Sequence, residues 1–517
     1  MRKQLYGIAH CQEHGLDPAD VFSNHFVFSK DKLLSNGCFG QVSIGDWTFQ
    51  YGEKTRFRLM RNRDGIAYGV FVGLGVDGVG RYVDEGSFDD FDPGSRSFWF
   101  ALQSYINEIA GRYVVFATKG KEARCFFDPV AHMTTLYNST LGVLASSVYL
   151  AIDRAPIKNS KFDCHGIRTE NVEEGREPNF ILGHSMDRDV KFVLPNHRLD
   201  LPDFKMVRIW PKDGSFQDAS TDQFGRVLDE MVARQTQILD AILDNEPCIL
   251  PVSGGADSRK LLACLSHRLN DLKSIFAFQH TSYAQDDCDA GEYVSSLVGA
   301  RFSRFTASDA KIRFPLTRRQ QQHRNALFWL RSSDVAWPTK EYRKRCYLMP
   351  PKDTVHLRGN VMDLTRAVWW GRWDARRMLI KPGLKYEIGN LFLMASPSVD
   401  IVADWAEEYL TWKQGLPKNA QRLVHDFIFL ELFLHVSSAK YYAYPDYFYV
   451  NPFSDRRLIE LTLCLPLDFR FGTTVNEEFL KRAEPRLANQ PYRNGVRRLI
   501  RVGEWQPLSQ SELPPKT

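Results

Sequence analysis

Apolar and polar residues alternate in short runs over about the first two hundred residues of the chain. The runs 57–60 (FRLM) and 66–74 (IAYGVFVGL) are bounded by Gly, Asp and Asn, as is typical of β-strands joined by turns. Residues 111–117 and 123–129 flank a charged turn, KGKE, and this arrangement predicts a β-hairpin. A further strand is predicted at 141–147. This part of the chain is therefore expected to be built mainly of antiparallel strands.

The pattern changes to a helical period at about residue 221. Apolar residues recur every three or four positions from Phe224 to Leu243, and Pro247 ends the predicted helix. Strands that alternate with helices at the spacing found after this point indicate parallel βαβ units. The predicted strands are 248–252, 274–279, 299–306 and 354–357, and the predicted helices between them are 258–268 and 287–298. The remainder to about residue 482 is predicted to be largely helical.

The composition is that of an ordinary globular protein. Hydrophobic residues make up 44% of the 517 residues and charged residues 25%, which excludes a disordered, collagen-like or disulfide-stapled chain. Lys and Arg number 67 against 62 Asp and Glu, and so small a surplus disfavours nucleic acid as a partner. The aromatic fraction of 13% is the one unusual value.

Cysteine usage and the N-terminus predict a cytoplasmic protein. The nine cysteines are scattered without a CxxC pair, which fits reduced thiols. The first residues lack the apolar core of a signal peptide, and no run of about 18 apolar residues is present to span a membrane. His10, Cys11 and His14 lie close together, but three residues near a terminus do not complete a tetrahedral metal site.

The hexapeptide 253–258, SGGADS, stands between a predicted strand and a predicted helix. Gly254 and Gly255 allow the backbone to turn tightly and to bring its N–H groups close to a phosphate. The helix that follows offers its positive N-terminus, and Ser253 and Ser258 add hydroxyl donors. Asp257 would hold Mg²⁺ or fix the loop. The alternative is a glycine turn with Ser or Asp capping of the helix.

This hexapeptide resembles the pyrophosphate loop of the ATP-pyrophosphatase superfamily, whose members cleave ATP between the α and β phosphates and adenylate a substrate. Residues 275–279, with Asp286, Asp287 and Glu292 after them, resemble the adenine-side strand and acidic turn of asparagine synthetases. Residues 451–460 (NPFSDRRLIE) resemble a further segment of that family. The implied ATP- and pyrophosphate-binding residues are Ser253, Gly254, Gly255, Asp257, Ser258, Arg259, Phe278 and Gly359.

The N-terminal half resembles the class II glutamine-amidotransferase domain that precedes the synthetase domain in that family. The resemblance is found at 111–114, 127–129 and 144–147. A class II glutaminase uses the α-amino-bearing cysteine at its processed N-terminus as nucleophile and base. Here Met1 is followed by Arg2 and the first cysteine is Cys11, which lacks a free α-amine. Glutaminase activity is therefore expected to be absent, as in β-lactam synthetase and the lasso-peptide cyclases, where a substrate amine attacks the acyl-adenylate.

A second departure lies in the segment 357–364, which resembles the family's S-G-E-G-x-D-E segment. Gly359 and Asp363 are kept, and Asp257 and Asp363 would bracket one Mg²⁺. The two glutamates of the pattern are replaced by Asn360 and Leu364, and Arg358 stands in place of Ser. Either Arg358 neutralises phosphate directly, or the site has lost catalytic activity.

A third departure lies near the C-terminus, where the family has two lysines that stabilise developing negative charge. The first becomes Glu477 in this chain. The second has no clear equivalent, and Arg493 and Arg497 are the nearest cations. Either would clamp phosphate electrostatically. The alternative for these arginines is a solvated basic face.

Several other side chains have two interpretations. Glu431 is either an ion-paired helical residue or a substrate-side acid or base, and His356 is expected in the core. Trp369, Trp370 and Trp373 are expected to be core residues or one wall of a substrate pocket. Tyrosines of the region 441–449, including Tyr447, would line the same pocket, for a substrate bulkier than aspartate.

The resemblance implies a mixed α/β and α+β fold. Residues 1–205 would form a glutaminase-like αββα sandwich that has lost its nucleophile. Residues 220–500 would form an adenine-nucleotide α-hydrolase-like synthetase domain with a parallel sheet and a helical C-terminal half, and 501–517 a loose tail.

The implied function is an ATP-dependent, AMP- and pyrophosphate-forming amide ligase or cyclase without glutaminase activity. Its substrate would be a small-molecule or peptide carboxylate, and its cofactors ATP and Mg²⁺. The alternatives are a catalytically degenerate nucleotide-binding or scaffold protein of a biosynthetic cluster, and asparagine synthetase itself, which the missing N-terminal cysteine disfavours. A homodimer is left open. The residues implied in catalysis are Asp257, Asp363, Arg358 and Arg493, with Asp257 and Asp363 as metal ligands.

Overall fold

The computed structural model describes most of the chain. The described residues are 4–30, 37, 39–161, 180–279, 283–306, 327–333, 350–370, 402–470, 473–490 and 492. Arg493, Arg497, Trp373 and the predicted tail at 501–517 lie outside them.

Two antiparallel sheets of six strands each form the N-terminal part of the fold. Their strands are β1 (Phe26–Ser29), β2 (Gly40–Ile44), β3 (Trp47–Tyr51), β4 (Phe57–Arg61), β5 (Ala67–Val76), β6 (Ala110–Lys119), β7 (Glu122–Phe127), β8 (Leu136–Asn138), β9 (Val143–Ala145), β10 (Lys191–Phe192), β11 (His197–Leu201) and β12 (Lys205–Arg208). The first sheet has the order β10-β8-β9-β1-β3-β2, and the second has the order β12-β11-β7-β6-β5-β4. The predicted hairpin is β6 and β7, joined through Gly120, whose φ of +58° favours glycine at this turn.

The two antiparallel sheets bury their facing sides against each other. Phe28 of the first sheet stacks on Phe116 of the second, with 4.6 Å between ring centroids. On the outer side of the second sheet, Leu102 and Ile106 of a helix pack in one cluster with Val115. The apolar faces predicted from the alternating pattern are therefore buried on both sides of this sheet. The expected antiparallel architecture is confirmed.

The third sheet has five parallel strands, in the order β15-β14-β13-β16-β17. Its strands are β13 (Cys248–Pro251), β14 (Ser274–Gln279), β15 (Phe302–Thr306), β16 (Thr354–Leu357) and β17 (Tyr447–Val450). The first four agree with the sequence-based prediction. β17 was missed, because its four residues are nearly all aromatic and equally suit a core or a pocket wall.

Helices cover the parallel sheet and continue into the C-terminal part. The described helices are α1 (Tyr6–Glu13), α2 (Pro18–Val21), α3 (Phe98–Asn107), α4 (Phe224–Asn245), α5 (Ala256–Cys264), α6 (Tyr283–Leu297), α7 (Val402–Gln414), α8 (Lys418–Gln421), α9 (Val424–Phe427), α10 (Leu434–Ser437), α11 (Arg456–Cys464), α12 (Leu467–Arg470) and α13 (Thr474–Ala483). A π-helical turn, Ile428–Phe433, joins α9 to α10. In the part of the chain that the structure describes, no helix is both long and apolar enough to cross a bilayer.

The N-terminal and C-terminal parts share one hydrophobic cluster. It contains Val27 and Val143 of the first antiparallel sheet together with Leu250 and Val355 of the parallel sheet. The second antiparallel sheet also extends to Arg208, just beyond the predicted boundary at residue 205. The division into domains at 205 and 220 therefore stays a prediction.

Candidate functional site

Two of the segments singled out from the sequence lie at the carboxyl edge of the parallel sheet. From β13 the chain adds β14 and β15 on one side and then β16 and β17 on the other, so the strand order reverses between β13 and β16. In open parallel sheets, ligands bind beyond the carboxyl ends of the strands at such a reversal. The loop 252–255 follows β13, and residues 358–359 follow β16. The topology thus brings both segments to the expected crevice.

Hydroxyl groups and one carboxylate hold the loop before α5. The N–H of Ser253 donates to Ser258 Oγ at 3.1 Å, and that of Gly255 donates to Ser253 Oγ at 3.2 Å. The N–H of Gly254 donates to Oδ1 of Asp287, on α6, at 3.3 Å. Gly255 is the N-cap of α5 and makes no side-chain capping bond of its own, although the hydroxyl of Ser253 accepts from its N–H. The positive end of α5 faces the crevice without a residue side chain at its N-cap.

Gly359 allows the segment after β16 to approach the start of α5. A Cβ atom at this position would lie 2.8 Å from the Cβ of Asp257 and 3.2 Å from its carbonyl carbon. Two carbon atoms at optimal contact are about 3.5–4.0 Å apart, so a larger residue would push the two segments apart. Gly359, predicted as a binding residue, is thus placed where it sets the distance between the two loops.

Asp257 and Asp363 lie close together, with a guanidinium between them. Nη2 of Arg366 donates to Asp257 Oδ2 at 3.0 Å and also to Asp363 Oδ1. Asp363 and Arg366 are three residues apart in the 3₁₀ turn Asn360–Arg366, where such side chains lie one above the other. Burial lowers the pKa of Arg366, but the two carboxylates outweigh this effect and hold its pKa above the ordinary value. Arg366 is therefore a permanent cation of the site.

Lys260 brings a second cation to the same carboxylate. Its side chain is 1% exposed, and Nζ lies 3.4 Å from Asp257 Oδ1. Nζ donates to Thr365 Oγ1 at 2.6 Å and to Asn476 Oδ1 at 2.7 Å. Burial lowers the pKa of Lys260 to about 8, and the charge of Asp257 opposes that shift. The polar contacts fix the position of the ammonium below the crevice.

The two predicted Mg²⁺ ligands are already matched by cations. Mg²⁺ prefers an octahedral shell of oxygen atoms and usually retains several waters. Here both carboxylates contact Arg366, and Asp257 has Lys260 beside it as well. Among the described residues, these two negative and two positive side chains balance one another without a metal. In this arrangement the two carboxylates do not fit Mg²⁺, which only the resemblance implies.

Two other residues from the predicted set lie near this edge. Nε of Arg358 donates to Asn360 Oδ1 at 3.3 Å, so Arg358 contacts the residue that replaces the first glutamate of the resemblance. Phe278, on β14, packs against Phe276 and Phe305, with ring centroids 5.0 and 6.2 Å away. Their roles toward phosphate and adenine stay predictions, and the predicted Arg493 lies outside the described residues.

Arg259 points toward the C-terminal end of the described chain. Its Nη1 donates to the carbonyl oxygen of Gln490 at 2.9 Å, and its guanidinium lies 4.2 Å from the ring centroid of Tyr492. The hydroxyl of Tyr492 donates in turn to Glu477 Oε1 at 2.6 Å. Glu477 and Arg259 therefore hold the segment after α13. A role of Arg259 in binding phosphate stays a prediction.

Glu431 is ion-paired, as one of its two interpretations expected. It lies in the π-helical turn and is 0% exposed. Arg208 donates to both of its oxygens, at 2.6 and 2.8 Å. Asn196 and Trp412 donate as well, at 3.0 and 2.9 Å. Burial raises the pKa of Glu431, but Arg208 and the other donors outweigh it, and the pKa is lowered overall.

Some of the aromatic residues near the crevice are buried in the core, and others are only partly buried. Trp369 is 3% exposed and stacks on Phe429, with 5.5 Å between ring centroids, which supports the core interpretation. Nε1 of Trp370 donates to Asp426 Oδ2 at 3.0 Å. His356 is buried on β16 and stacks on Tyr449 at 4.5 Å, so it belongs to the core as expected. An aromatic substrate pocket stays a hypothesis.

In the structure, His10 and His14 cluster with Glu13 and not with Cys11. Cys11 is buried on α1, whereas ligand atoms of His10, Glu13 and His14 lie within 4.8 Å of one another on its surface. The cluster remains three residues on one short helix, so the sequence-based reason against a tetrahedral metal site still applies.

Sequence reasoning missed Arg366 and Lys260. Each stands three residues after an aspartate of the predicted set, Arg366 after Asp363 and Lys260 after Asp257. Spacing of three or four residues on a helix brings opposite charges together. That spacing was visible, but the convergence of the two pairs depends on the sheet topology.

No protein-family model matches the chain, and no curated protein is significantly similar to it. The likeness to asparagine synthetases therefore rests on the motifs given above.

Proposed function

We propose that the chain binds ATP at the carboxyl edge of the parallel sheet and uses it to adenylate a substrate carboxylate. One observation supports this best. The SGGADS loop lies where the strand order reverses, with two cations, Arg366 and Lys260, on the flanking segments. Backbone N–H groups at a helix N-terminus, hydroxyls and fixed cations are the groups that bind polyphosphate in proteins.

The phosphates would lie over the N-terminus of α5. N–H groups of the loop, released from their present contacts with Ser258, Asp287 and Ser253, would donate to phosphate oxygens, as would the hydroxyls of Ser253 and Ser258. Arg366, released in part from the carboxylates, would neutralise charge that grows on the leaving pyrophosphate. Gly359 keeps these groups close enough to act on one ligand.

In the proposed reaction, a carboxylate oxygen of the substrate bonds to the α-phosphorus of ATP. The bond from that phosphorus to the oxygen that bridges to the β-phosphate breaks, and pyrophosphate leaves with the electron pair. An amine of the substrate, or free ammonia, then attacks the acyl carbon, AMP leaves, and the amine proton passes to solvent. The residues contribute by orienting the reactants and neutralising charge.

Isotope exchange between pyrophosphate and ATP tests the adenylation step. The purified chain is mixed with ATP, labelled pyrophosphate and pools of amino acids, peptides or other carboxylates, with and without Mg²⁺. Label is expected to enter ATP in one pool, and Ser258→Ala is expected to reduce the exchange. Ser296→Ala, which removes a hydroxyl from the exposed face of α6, is the matched control. Absence of exchange in every pool, with ATP affinity unchanged in Asp257→Ala, contradicts the proposal.

A second candidate is a nucleotide-binding protein without ligase activity. The balanced charges around Asp257 favour it, because two of the resemblance's acidic positions are Asn360 and Leu364 and the remaining carboxylates are paired. ATP binding that depends on Ser258, together with no exchange and no release of AMP, would support this candidate over the ligase.

A further inference from the structure

The two aspartates of the crevice come from different elements, yet they share one guanidinium. Asp257 is in the first turn of α5, and Asp363 is in the 3₁₀ turn that follows β16. Arg366 contacts both, and their side chains are between 21% and 29% exposed. The guanidinium therefore lies at the mouth of the crevice, where a cation bridging the two segments would have to be.

A divalent cation at this point would face a fixed positive charge. Arg366 keeps its charge at any pH that the protein experiences. Charges separated by a few ångströms repel strongly where the surroundings are partly desolvated. Mg²⁺ would have to displace Arg366 from Asp257, where the contact is 3.0 Å, and from Asp363.

Lys260 would also repel a divalent cation, and its own position is fixed by hydrogen bonds. Its ammonium lies 3.4 Å from Oδ1 of Asp257, whereas Arg366 contacts Oδ2. Thr365 and Asn476 hold it through short hydrogen bonds. Thr365 also donates to the carbonyl oxygen of Met362, so the lysine is tied to the same turn that carries Asp363 and Arg366.

We propose that Arg366 serves as a built-in cation in place of a divalent metal between Asp257 and Asp363. The crevice would then bind a pyrophosphate or triphosphate group through Arg366, Lys260 and the loop, with no metal ion on this carboxylate pair. This extends the proposed nucleotide site and rests on it for the identity of the anion, but the metal preference of the carboxylates is testable by itself.

Binding of Mn²⁺, followed by electron paramagnetic resonance, tests the carboxylate pair directly. The wild-type chain is expected to show no Mn²⁺ site that depends on Asp257 or Asp363. Arg366→Met removes the charge and is expected to tighten Mn²⁺ binding by about tenfold or more. Arg366→Lys keeps a charge and is the matched control, with no such gain expected. Adding Asp363→Asn to Arg366→Met should abolish the gain.

Two outcomes of the Mn²⁺ experiment would overturn the inference. One is a wild-type Mn²⁺ site that Asp257→Asn removes and Arg366→Met leaves unchanged. The other is a folded Arg366→Met chain, verified by circular dichroism, that gains no Mn²⁺ binding. If Arg366→Met does not fold, comparison of Mn²⁺ binding by the wild-type chain and by Asp257→Asn still decides whether the carboxylate pair holds a metal ion.

Calorimetry with inorganic pyrophosphate separates this inference from the proposed function. Pyrophosphate is expected to bind the wild-type chain as tightly in EDTA as in Mg²⁺, and more weakly to Arg366→Met. Binding that requires Mg²⁺ and disappears in Asp257→Asn contradicts the built-in cation. Absence of binding in both conditions contradicts the nucleotide site, while the Mn²⁺ result still decides the nature of the carboxylate pair.

Discussion

Glu431 and Asp257 are both carboxylates paired with arginine, but they differ in how completely they are bonded. Each oxygen of Glu431 accepts two hydrogen bonds, and the side chain is 0% exposed. Asp257 is 21% exposed and accepts from Arg366 through one oxygen. Its other oxygen is buried and accepts no hydrogen bond among the described residues, and the ammonium of Lys260 lies 3.4 Å from it.

This difference separates a structural ion pair from a binding site. A buried charge is tolerated only when hydrogen bonds saturate it, and Glu431 meets this condition between α7, the π-helical turn and the antiparallel sheet. Asp257 is bonded less completely: its buried oxygen has the ammonium of Lys260 beside it instead of a hydrogen-bond donor, while the rest of its side chain is partly exposed at the crevice. Substitutions among the side chains around Asp257 are therefore expected to affect ligand binding. Substitutions among the side chains around Glu431 are expected to affect the stability of the fold.

The largest expected effect on stability is that of Glu431→Gln. It leaves the guanidinium of Arg208, whose side chain is only 13% exposed, without its counter-charge, which is expected to lower the free energy of unfolding by about 3–5 kcal/mol. Urea titration followed by circular dichroism measures this change. A loss below about 1 kcal/mol would show that the interior pair behaves like a surface pair.

A pH effect is expected from Lys260. Its pKa is about 8 in the folded chain and 10.5 ordinarily. Between pH 8 and pH 10.5, Lys260 is protonated in the unfolded chain and deprotonated in the folded chain. The free energy of unfolding therefore increases as the pH rises through this range. The gain is up to about 3 kcal/mol relative to Lys260→Met. Urea titrations of both proteins at several pH values between 7 and 11 measure it. Parallel pH curves for the two proteins would contradict the lowered pKa.

Gly359→Ala is expected to separate the two loops of the crevice. The added methyl would lie 2.8 Å from the Cβ of Asp257, and overpacking of this kind costs about 1–3 kcal/mol of stability. Affinity for ATP or pyrophosphate should fall as well. Gly86→Ala is the control, because its nearest neighbour would be 3.5 Å away. Equal behaviour of both variants would mean that the close approach has no role in binding.

The smallest expected effect on stability is that of Asp257→Asn, which makes the same chemical change as Glu431→Gln. The loss is expected to be only about 1 kcal/mol, because Arg366 is partly exposed and keeps Asp363, and because the buried Lys260 can release its proton when it loses the charge of Asp257. Affinity for pyrophosphate should change, since Arg366 is then held by Asp363 alone. Thermal unfolding and calorimetry on one sample measure both effects. A stability loss comparable to that of Glu431→Gln, with unchanged affinity, would mark Asp257 as structural.

Strands and helices with a clear period were predictable, and irregular elements were not. The hairpin of β6 and β7 and the helix α4 follow from alternation and from helical spacing. Within the part of the chain that was predicted to be largely helical, Ile428–Phe433 forms a π-helical turn. No local sequence pattern predicts this turn. Its Glu431 contacts Arg208 and Trp412, which belong to distant segments.

The candidate site was predictable only in part. The SGGADS loop and Gly359 were found because glycine and small polar residues have specific backbone and phosphate-binding uses. Arg366 was missed because an arginine in a helical turn usually lies in solvent. Its contact with Asp257 joins positions 109 residues apart, which no local pattern indicates.

By itself, the sequence determined the alternation of strands and helices, the loop with its two glycines and the residue types available near it. These depend on local backbone preference and on hydrophobic period, which act over a few neighbouring residues. The tertiary structure alone decided that β13 and β16 are adjacent, that Asp257 and Asp363 share Arg366, and that Glu431 is saturated in the interior. Those relations depend on which distant segments pack together, and packing sets the solvent exposure and charge balance of each carboxylate.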